Sequence, residues 1–97
     1  MPQPALWPKK GEKSMILKVY SIRDAKAEVF NTPFYQKTHG EAERAFQSLV
    51  NDDKSTVNQY SEDFDLYYLG TYDDNSGTFK GLDTPQHMHK AIAFKKQ

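Results

Sequence analysis

The sequence contains no cysteine, so neither disulfides nor thiolate zinc sites can brace its fold. It also lacks any apolar run near the roughly 20 residues that a membrane-spanning helix requires. The first residues, "MPQPALWPKKGEKS", lack the apolar stretch of a signal peptide. We therefore expect a protein of a reducing compartment that is neither exported nor inserted into a membrane.

Signatures of common catalytic sites are also missing. The chain has no G-x-S-x-G elbow, no phosphate-binding G-x-x-x-x-G-K-[ST] loop and no dinucleotide fingerprint. Asp63 and Asp65 are close in sequence, but paired carboxylates need a cleft that a small domain rarely provides. His87 and His89, with His39, could chelate a metal from one strand face, yet no nearby carboxylate or thiol completes the set. We expect no enzyme activity, no metal and no cofactor, with a nuclease-like or metal-dependent enzyme as the remotest alternative.

The 97 residues allow a single domain, and one Trp, six Tyr and six Phe supply its large apolar side chains. The net charge is zero, but the charges are unevenly distributed. Residues 1–37 hold seven bases and three acids, residues 38–83 hold three bases and ten acids, and residues 84–97 add three lysines. Such asymmetry can steer a charged partner, although ordinary solvated surface explains it equally well.

The domain limits follow from composition. Residues 1–14 carry three prolines and no apolar period, which predicts a flexible tail. We predict one ordered domain over residues 15–94 and a C-terminal tail over residues 95–97. The sequence leaves open whether translation starts at Met1 or Met15.

A helix over residues 38–51 is the clearest element. Thr38 and Glu41 match a capping box, in which each residue satisfies a backbone N–H of the other. Apolar residues then follow at helical spacing on one stripe: Ala42, Ala45, Phe46, Leu49 and Val50. This stripe can cover one side of a small sheet.

Strand patterns flank the helix. "MILKVYSI" predicts a first strand, and residues 25–30 predict a second. "FDLYYLGTY" and "GTFKGL" predict antiparallel strands joined by a turn over residues 73–77. This turn resembles part of a calcium loop, but Gly77 comes one position early and the distal Glu is missing. Residues 84–94 fit either a short helix capped by Thr84 or a last edge strand.

These elements predict an α+β fold, a small antiparallel sheet of about four strands with one amphipathic helix on one face. The other sheet face must meet water, a second subunit or a ligand, and we expect function there. Single-stranded nucleic acid needs cations for its phosphates and aromatic rings for its bases. Residues of these types predict a contact surface: Lys18, Tyr20, Arg23, Lys26, Tyr35, Lys37, Tyr67, Tyr72 and Lys80. Composition alone favours the alternative in which Phe30, Phe34 and Tyr67 are core and the lysines only solubilise, and the acidic middle predicts weak, salt-dependent binding.

Four motifs carry a family resemblance: "YSIRDAKAEVFN", "HGEAER", "NDDKSTV" and "DFDLYYLGTYDDNSG". Together with "LDTPQHMHKA" they make the chain, from Met15 to about Ala91, resemble the small nonstructural protein of gokushoviruses, single-stranded DNA phages of the Microviridae. The resemblance implies synthesis in the host bacterial cytoplasm and a role in viral DNA synthesis, described as DNA binding or as assisting single-stranded genome production. It implies no role for any single residue.

We therefore expect a non-enzymatic phage accessory protein that binds single-stranded DNA, or the replication complex carrying it, during genome synthesis. Phage or host replication proteins are further expected partners. A second copy of the chain is another, because so small a domain gains from self-association. The alternative is a homodimerising adaptor that acts on a replication factor without touching DNA.

Overall fold

The computed structural model describes residues 15–96, in which one antiparallel sheet is combined with three helices. The strands are β1 (Ile16–Asp24), β2 (Val29–Phe30), β3 (Phe34–Gln36), β4 (Phe64–Asp73) and β5 (Thr78–Lys90). The helices are α1 (His39–Val50), α2 (Thr56–Gln59) and α3 (Ala91–Phe94), with a 3-10 turn at Ser61–Asp63. The predicted tail over residues 1–14 lies outside the described residues.

The strands pair in the order β2-β1-β4-β5, and every pairing is antiparallel. Because β4 pairs along the whole of β1, the short strands β2 and β3 share the opposite edge of β1. The predicted α+β fold with a small antiparallel sheet is confirmed. No helix in the described part of the chain is both long and apolar enough to cross a membrane.

The second strand is much shorter than predicted. Residues 25–28 form a turn, and only Val29–Phe30 pair with β1. The carboxylate of Asp24 accepts hydrogen bonds from the N–H groups of Lys26 and Ala27, at 3.0 and 3.2 Å. Glu28 then adopts a positive φ of 59°, which no strand residue can have. The prediction of a strand over residues 25–30 is therefore wrong for its first four positions.

The predicted helix is confirmed as α1, with one change in its capping. The Thr38 hydroxyl accepts a hydrogen bond from the Glu41 N–H at 3.1 Å, as expected of an N-cap. The Glu41 carboxylate accepts from the N–H of Lys37, one residue before the predicted donor. At the other end, Asn51 caps α1 through its backbone and side-chain N–H groups. Ala45 is exposed, so the buried stripe is narrower than predicted.

The core lies between α1 and one face of the sheet, which we call the helix side. Its largest fully buried side chains are Tyr20, Phe46 and Leu66, one each from β1, α1 and β4. Burying a side chain of this size contributes about 1.5–3 kcal/mol. Ala91 of α3 is also fully buried, so the end of the described chain closes this core.

Three irregularities in the pairing of β4 and β5 decide which side chains share a face. Val19 pairs with Gly70 and Tyr20 pairs with Tyr68, so Leu69 has no partner on β1. In the β4–β5 pairing, Met88 has no partner, and residues 82–85 lie unpaired opposite Leu69. Side chains of directly paired residues lie on the same face, so each extra residue reverses the alternation beyond it. The face opposite α1 is called the outer face below.

The β4–β5 hairpin is confirmed. Gly77 has a positive φ of 72°, and its N–H donates to the Asp73 carbonyl oxygen at 2.8 Å, which closes the turn. Of the two alternatives for residues 84–94, the edge strand holds as far as Lys90, whereas the helix capped by Thr84 is wrong, because the short helix α3 begins only after Lys90. Pro85 lies within β5, which an edge strand tolerates because one side of its ladder is free.

Candidate functional site

Three aromatic rings form a cluster on the outer face near the β4–β5 turn. Tyr72 and Phe79 pair across the hairpin, with ring centroids 4.7 Å apart. Tyr35 of β3 lies 5.8 Å from Tyr72 and 6.3 Å from Phe79. We call these three residues the hairpin cluster. Its rings are available to a partner, since Phe79 is 62% exposed and Tyr35 is 40% exposed.

A second cluster lies on the same face toward the other end of β4. The Tyr67 ring meets Phe30 of β2 at 5.2 Å and His87 of β5 at 5.3 Å, both edge-to-face. We call Phe30, Tyr67 and His87 the histidine cluster. The guanidinium of Arg23 lies 5.7 Å from the centre of the Phe30 ring, within cation–π range. A cation and an exposed ring therefore lie side by side.

A shallow groove of about 220 Å³ adjoins the hairpin cluster. The rings of Tyr35 and Phe79 stand along it, and Val19, Gly70 and Gly81 line it as one row across β1, β4 and β5. The groove exists because two of the three positions in that row carry no side chain. We call it the glycine groove.

Charges on the outer face are few and of both signs. Asp65 accepts a hydrogen bond from His87 Nε2 at 2.6 Å and lies 3.8 Å from the Lys90 ammonium. Arg23 is the cross-strand neighbour of Asp65. Exposed ion pairs of this kind contribute about 0–1 kcal/mol to stability. Arg23 and Lys90 therefore lie close to the aromatic rings of the histidine cluster, and the Asp65 carboxylate lies between these two cations.

Only part of the predicted contact surface lies together. Arg23, Tyr35, Tyr67 and Tyr72 all lie on the outer face. Lys18 and Lys80 each pair with Thr71. Each of these residues is next in sequence to one of Leu17, Tyr72 and Phe79, which pair with one another on the outer face. Because successive side chains of a strand point to opposite faces, Lys18 and Lys80 lie on the opposite face. Lys26 lies in the turn after β1, and Lys37 lies between β3 and α1. The structure therefore divides the nine predicted residues between two faces and two loops.

Tyr20 is misplaced in that prediction, because its side chain is fully buried. Its hydroxyl forms a hydrogen bond with Nδ1 of His39 at 2.7 Å, and its ring stacks on Phe34. Burial, the largest cause, together with the neighbouring Tyr68 hydroxyl and the carboxylates of Glu43 and Glu41, raises the pKa of Tyr20 to about 12. Tyr20 belongs to the core and offers no ring face to a ligand.

Sequence reasoning missed three outer-face residues, Phe79, His87 and Gly81. Placing Tyr72 opposite Phe79 would have followed from pairing the strands about the turn over residues 73–77. No comparable signal exists for His87, because its face depends on the irregularity at Met88. Gly81 could have been noticed as a glycine inside a strand pattern, which marks a bulge or a close approach.

The three histidines do not converge. His87 lies on the outer face beside Tyr67, whereas His89 lies on the helix side, where its Nε2 donates to Glu43 at 2.6 Å. His39 contacts Tyr20. Within residues 15–96, no group of three His, Cys, Asp or Glu side chains is arranged to hold a metal ion.

Comparison with known protein families gives a match over most of the chain. The family described as Phage ORF5 protein matches residues 17–94, which is most of the chain and includes every strand and helix described above apart from Ile16, the first residue of β1. No curated protein and no solved structure matches.

Proposed function

Because this chain belongs to the Phage ORF5 protein family, we propose that it is a non-enzymatic accessory protein that binds single-stranded DNA during viral genome synthesis. The finer part of the proposal places it with the nonstructural proteins of gokushoviruses, acting in the cytoplasm of the bacterial host. Its DNA partner would be the single-stranded genome or the replication complex that carries it. The outer face of the sheet would make the contact.

The observation that carries this proposal is a sheet face with aromatic rings left open. Phe79, Tyr35 and Phe30 are 62%, 40% and 38% exposed, although burial of such rings would stabilise a small domain. An exposed ring on a sheet can stack with a nucleobase of any sequence. Each such stack contributes about 1–3 kcal/mol to binding.

The charges near these rings fit a weak backbone contact. Arg23 beside Phe30 can place its guanidinium on a phosphate while the ring meets the adjacent base. Lys90 adds a second cation, and Asp65 offsets part of the positive potential. With so few cations, we expect binding that weakens as salt increases, with a slope of roughly −0.7 per phosphate contacted.

Fluorescence anisotropy of a labelled single-stranded oligonucleotide, at low and high salt, tests the proposal. Phe79→Ala should weaken binding roughly 5- to 150-fold, the equivalent of one lost stack. Tyr60→Ala is the matched control, because it removes a similarly exposed ring (55%) that belongs to neither cluster. Absence of binding by the unaltered protein at low salt would refute the proposal, as would equal losses in the two variants.

A protein–protein adaptor is the second candidate, and exposed aliphatic side chains favour it. Ile16, Val29 and Leu82 are all exposed, and aliphatic groups do not stack on bases. Such groups are typical of surfaces that bind another protein, including a second copy of the same chain or a replication factor. Light scattering over a range of protein concentrations distinguishes a homodimer from a monomer that binds DNA.

A further inference from the structure

Gly70 and Gly81 face each other across β4 and β5, but the fold needs only one of them. Gly70 has a positive φ of 150°, and a Cβ there would lie 2.3 Å from the Lys80 carbonyl oxygen and 2.8 Å from Gly81 Cα. Real Cβ atoms do not approach backbone so closely. Glycine at position 70 is therefore explained by the close contact between the two strands.

Gly81 has no such explanation. Its φ lies outside the left-handed region, and a Cβ would meet nothing nearer than the Leu69 carbonyl oxygen, at 3.9 Å. Glycine inside a strand costs about 0.5–1 kcal/mol relative to alanine. Folding would therefore favour a side chain at this position. Its absence has one visible effect, which is to keep the floor of the glycine groove open.

The groove has the size and chemistry to hold one flat aromatic ring. Its volume of about 220 Å³ is smaller than the roughly 300–1,000 Å³ of sites for drug-sized ligands. Tyr35 and Phe79 border it, and Pro33 and Leu69 complete an apolar lining. None of the described residues that line it is a carboxylate, so a phosphate backbone passing the groove meets no like charge there.

We propose that the glycine groove binds a single unstacked nucleobase of the DNA strand, which lies over Gly70 and Gly81 and packs against the rings of Tyr35 and Phe79. This inference rests on the proposed function and adds the position and the selectivity of one contact. Among the described lining residues whose side chains lie on the outer face, Tyr35 is the one with a group, its hydroxyl, that could form a hydrogen bond with a base edge. The groove therefore selects for an accessible base, and so for single strands over duplex, and discriminates little between base types.

Two oligonucleotides of the same length and charge test this site. One is a single-stranded thymidine oligomer of about ten nucleotides, within the site sizes of small single-strand binders. The other is an abasic oligomer that keeps the phosphates and has no bases. The unaltered protein should bind the thymidine oligomer roughly 5- to 150-fold more tightly than the abasic one, as expected for one or more stacked bases.

Gly81→Leu should fill the groove and reduce the preference for the thymidine oligomer over the abasic one at least 5-fold. The melting temperature of this variant should stay at or above that of the unaltered protein. Gly81→Ala fills less of the groove and gives an intermediate loss, which keeps the test valid if the leucine variant folds poorly. Gly40→Ala is the matched control, since a Cβ at this glycine of α1 meets only Thr38 Oγ1, at 3.9 Å. It should leave the preference unchanged.

Each outcome separates this inference from the proposed function. If the unaltered protein binds neither oligomer at low salt, the proposed function fails. Equal binding of both oligomers would overturn the groove site and leave DNA binding through the phosphates intact. If Gly81→Leu keeps the full preference for the thymidine oligomer, the bases bind to other rings of the outer face and the groove site is overturned. A concentration-dependent dimer that Gly81→Leu abolishes would show that a second copy of the chain occupies the groove, which also overturns the inference.

Discussion

The facing glycines of β4 and β5 should respond to alanine with opposite signs. In Gly70→Ala, the new Cβ meets backbone atoms at 2.3 and 2.8 Å that no side-chain rotation can relieve. The positive φ of 150° adds strain for any residue with a Cβ. Together these effects should lower the free energy of unfolding by about 2–4 kcal/mol. The Cβ of Gly81→Ala meets only the Leu69 carbonyl oxygen, at an ordinary contact distance of 3.9 Å, and this substitution should raise the free energy of unfolding by about 0.5–1 kcal/mol.

Urea denaturation and thermal melting of the two variants measure this difference. For a domain of this size, 1 kcal/mol shifts the melting temperature by about 4–8 °C. Gly70→Ala should therefore melt about 10–25 °C below the unaltered protein, and Gly81→Ala a few degrees above it. If the two variants destabilise the protein equally, the pairing of β4 with β5 at these positions is not the one described above, and the explanation of the groove floor fails with it.

Two further predictions concern the core and its helix. Thr38→Ala should lower the free energy of unfolding by about 0.5–2 kcal/mol, because the Glu41 N–H loses its acceptor. Thr38→Ser keeps a hydroxyl at this position and should retain most of this stability, and urea titrations of both variants measure the difference. Tyr20 has its pKa raised from 10.0 to about 12, so from pH 10 upward the unfolded chain loses this proton before the folded one does. The contribution of this pKa difference to the free energy of unfolding is therefore fully present below pH 10, and about 2–3 kcal/mol of it should be lost as the pH rises to 12. Tyr20→Phe should show a correspondingly smaller fall in urea titrations across this window, and an equal fall in both proteins would contradict the assignment.

Elements set by neighbouring residues could be predicted from the sequence. The helix α1 follows from Thr38 and Glu41 at its start and an apolar stripe at helical spacing. The hairpin follows from the turn residues that end at Gly77, which adopts the expected left-handed conformation. Both signals lie within a few residues of the structure they specify, so no knowledge of distant contacts was needed.

The candidate site depends on distant contacts and could be predicted only in part. Tyr20 has the same residue type as Tyr67 and Tyr72, and only the packing of α1 over β1 decides that it is core. Tyr67 and Tyr72 share the outer face only because Leu69 is an extra residue in β4 relative to β1. A single unpaired residue reverses the alternation of every position beyond it, and its place depends on the pairing partner. Strand patterns alone could not place these side chains.

The irregular course of β5 affects how the protein behaves when it is abundant. A strand of 13 residues at the border of a sheet offers free backbone groups along which other molecules could polymerise. Pro85 removes one of the amide donors such growth would need, and the two breaks in register interrupt the remainder. Chains at high concentration would find only short stretches of compatible backbone there, so fibre-like association through this border is discouraged.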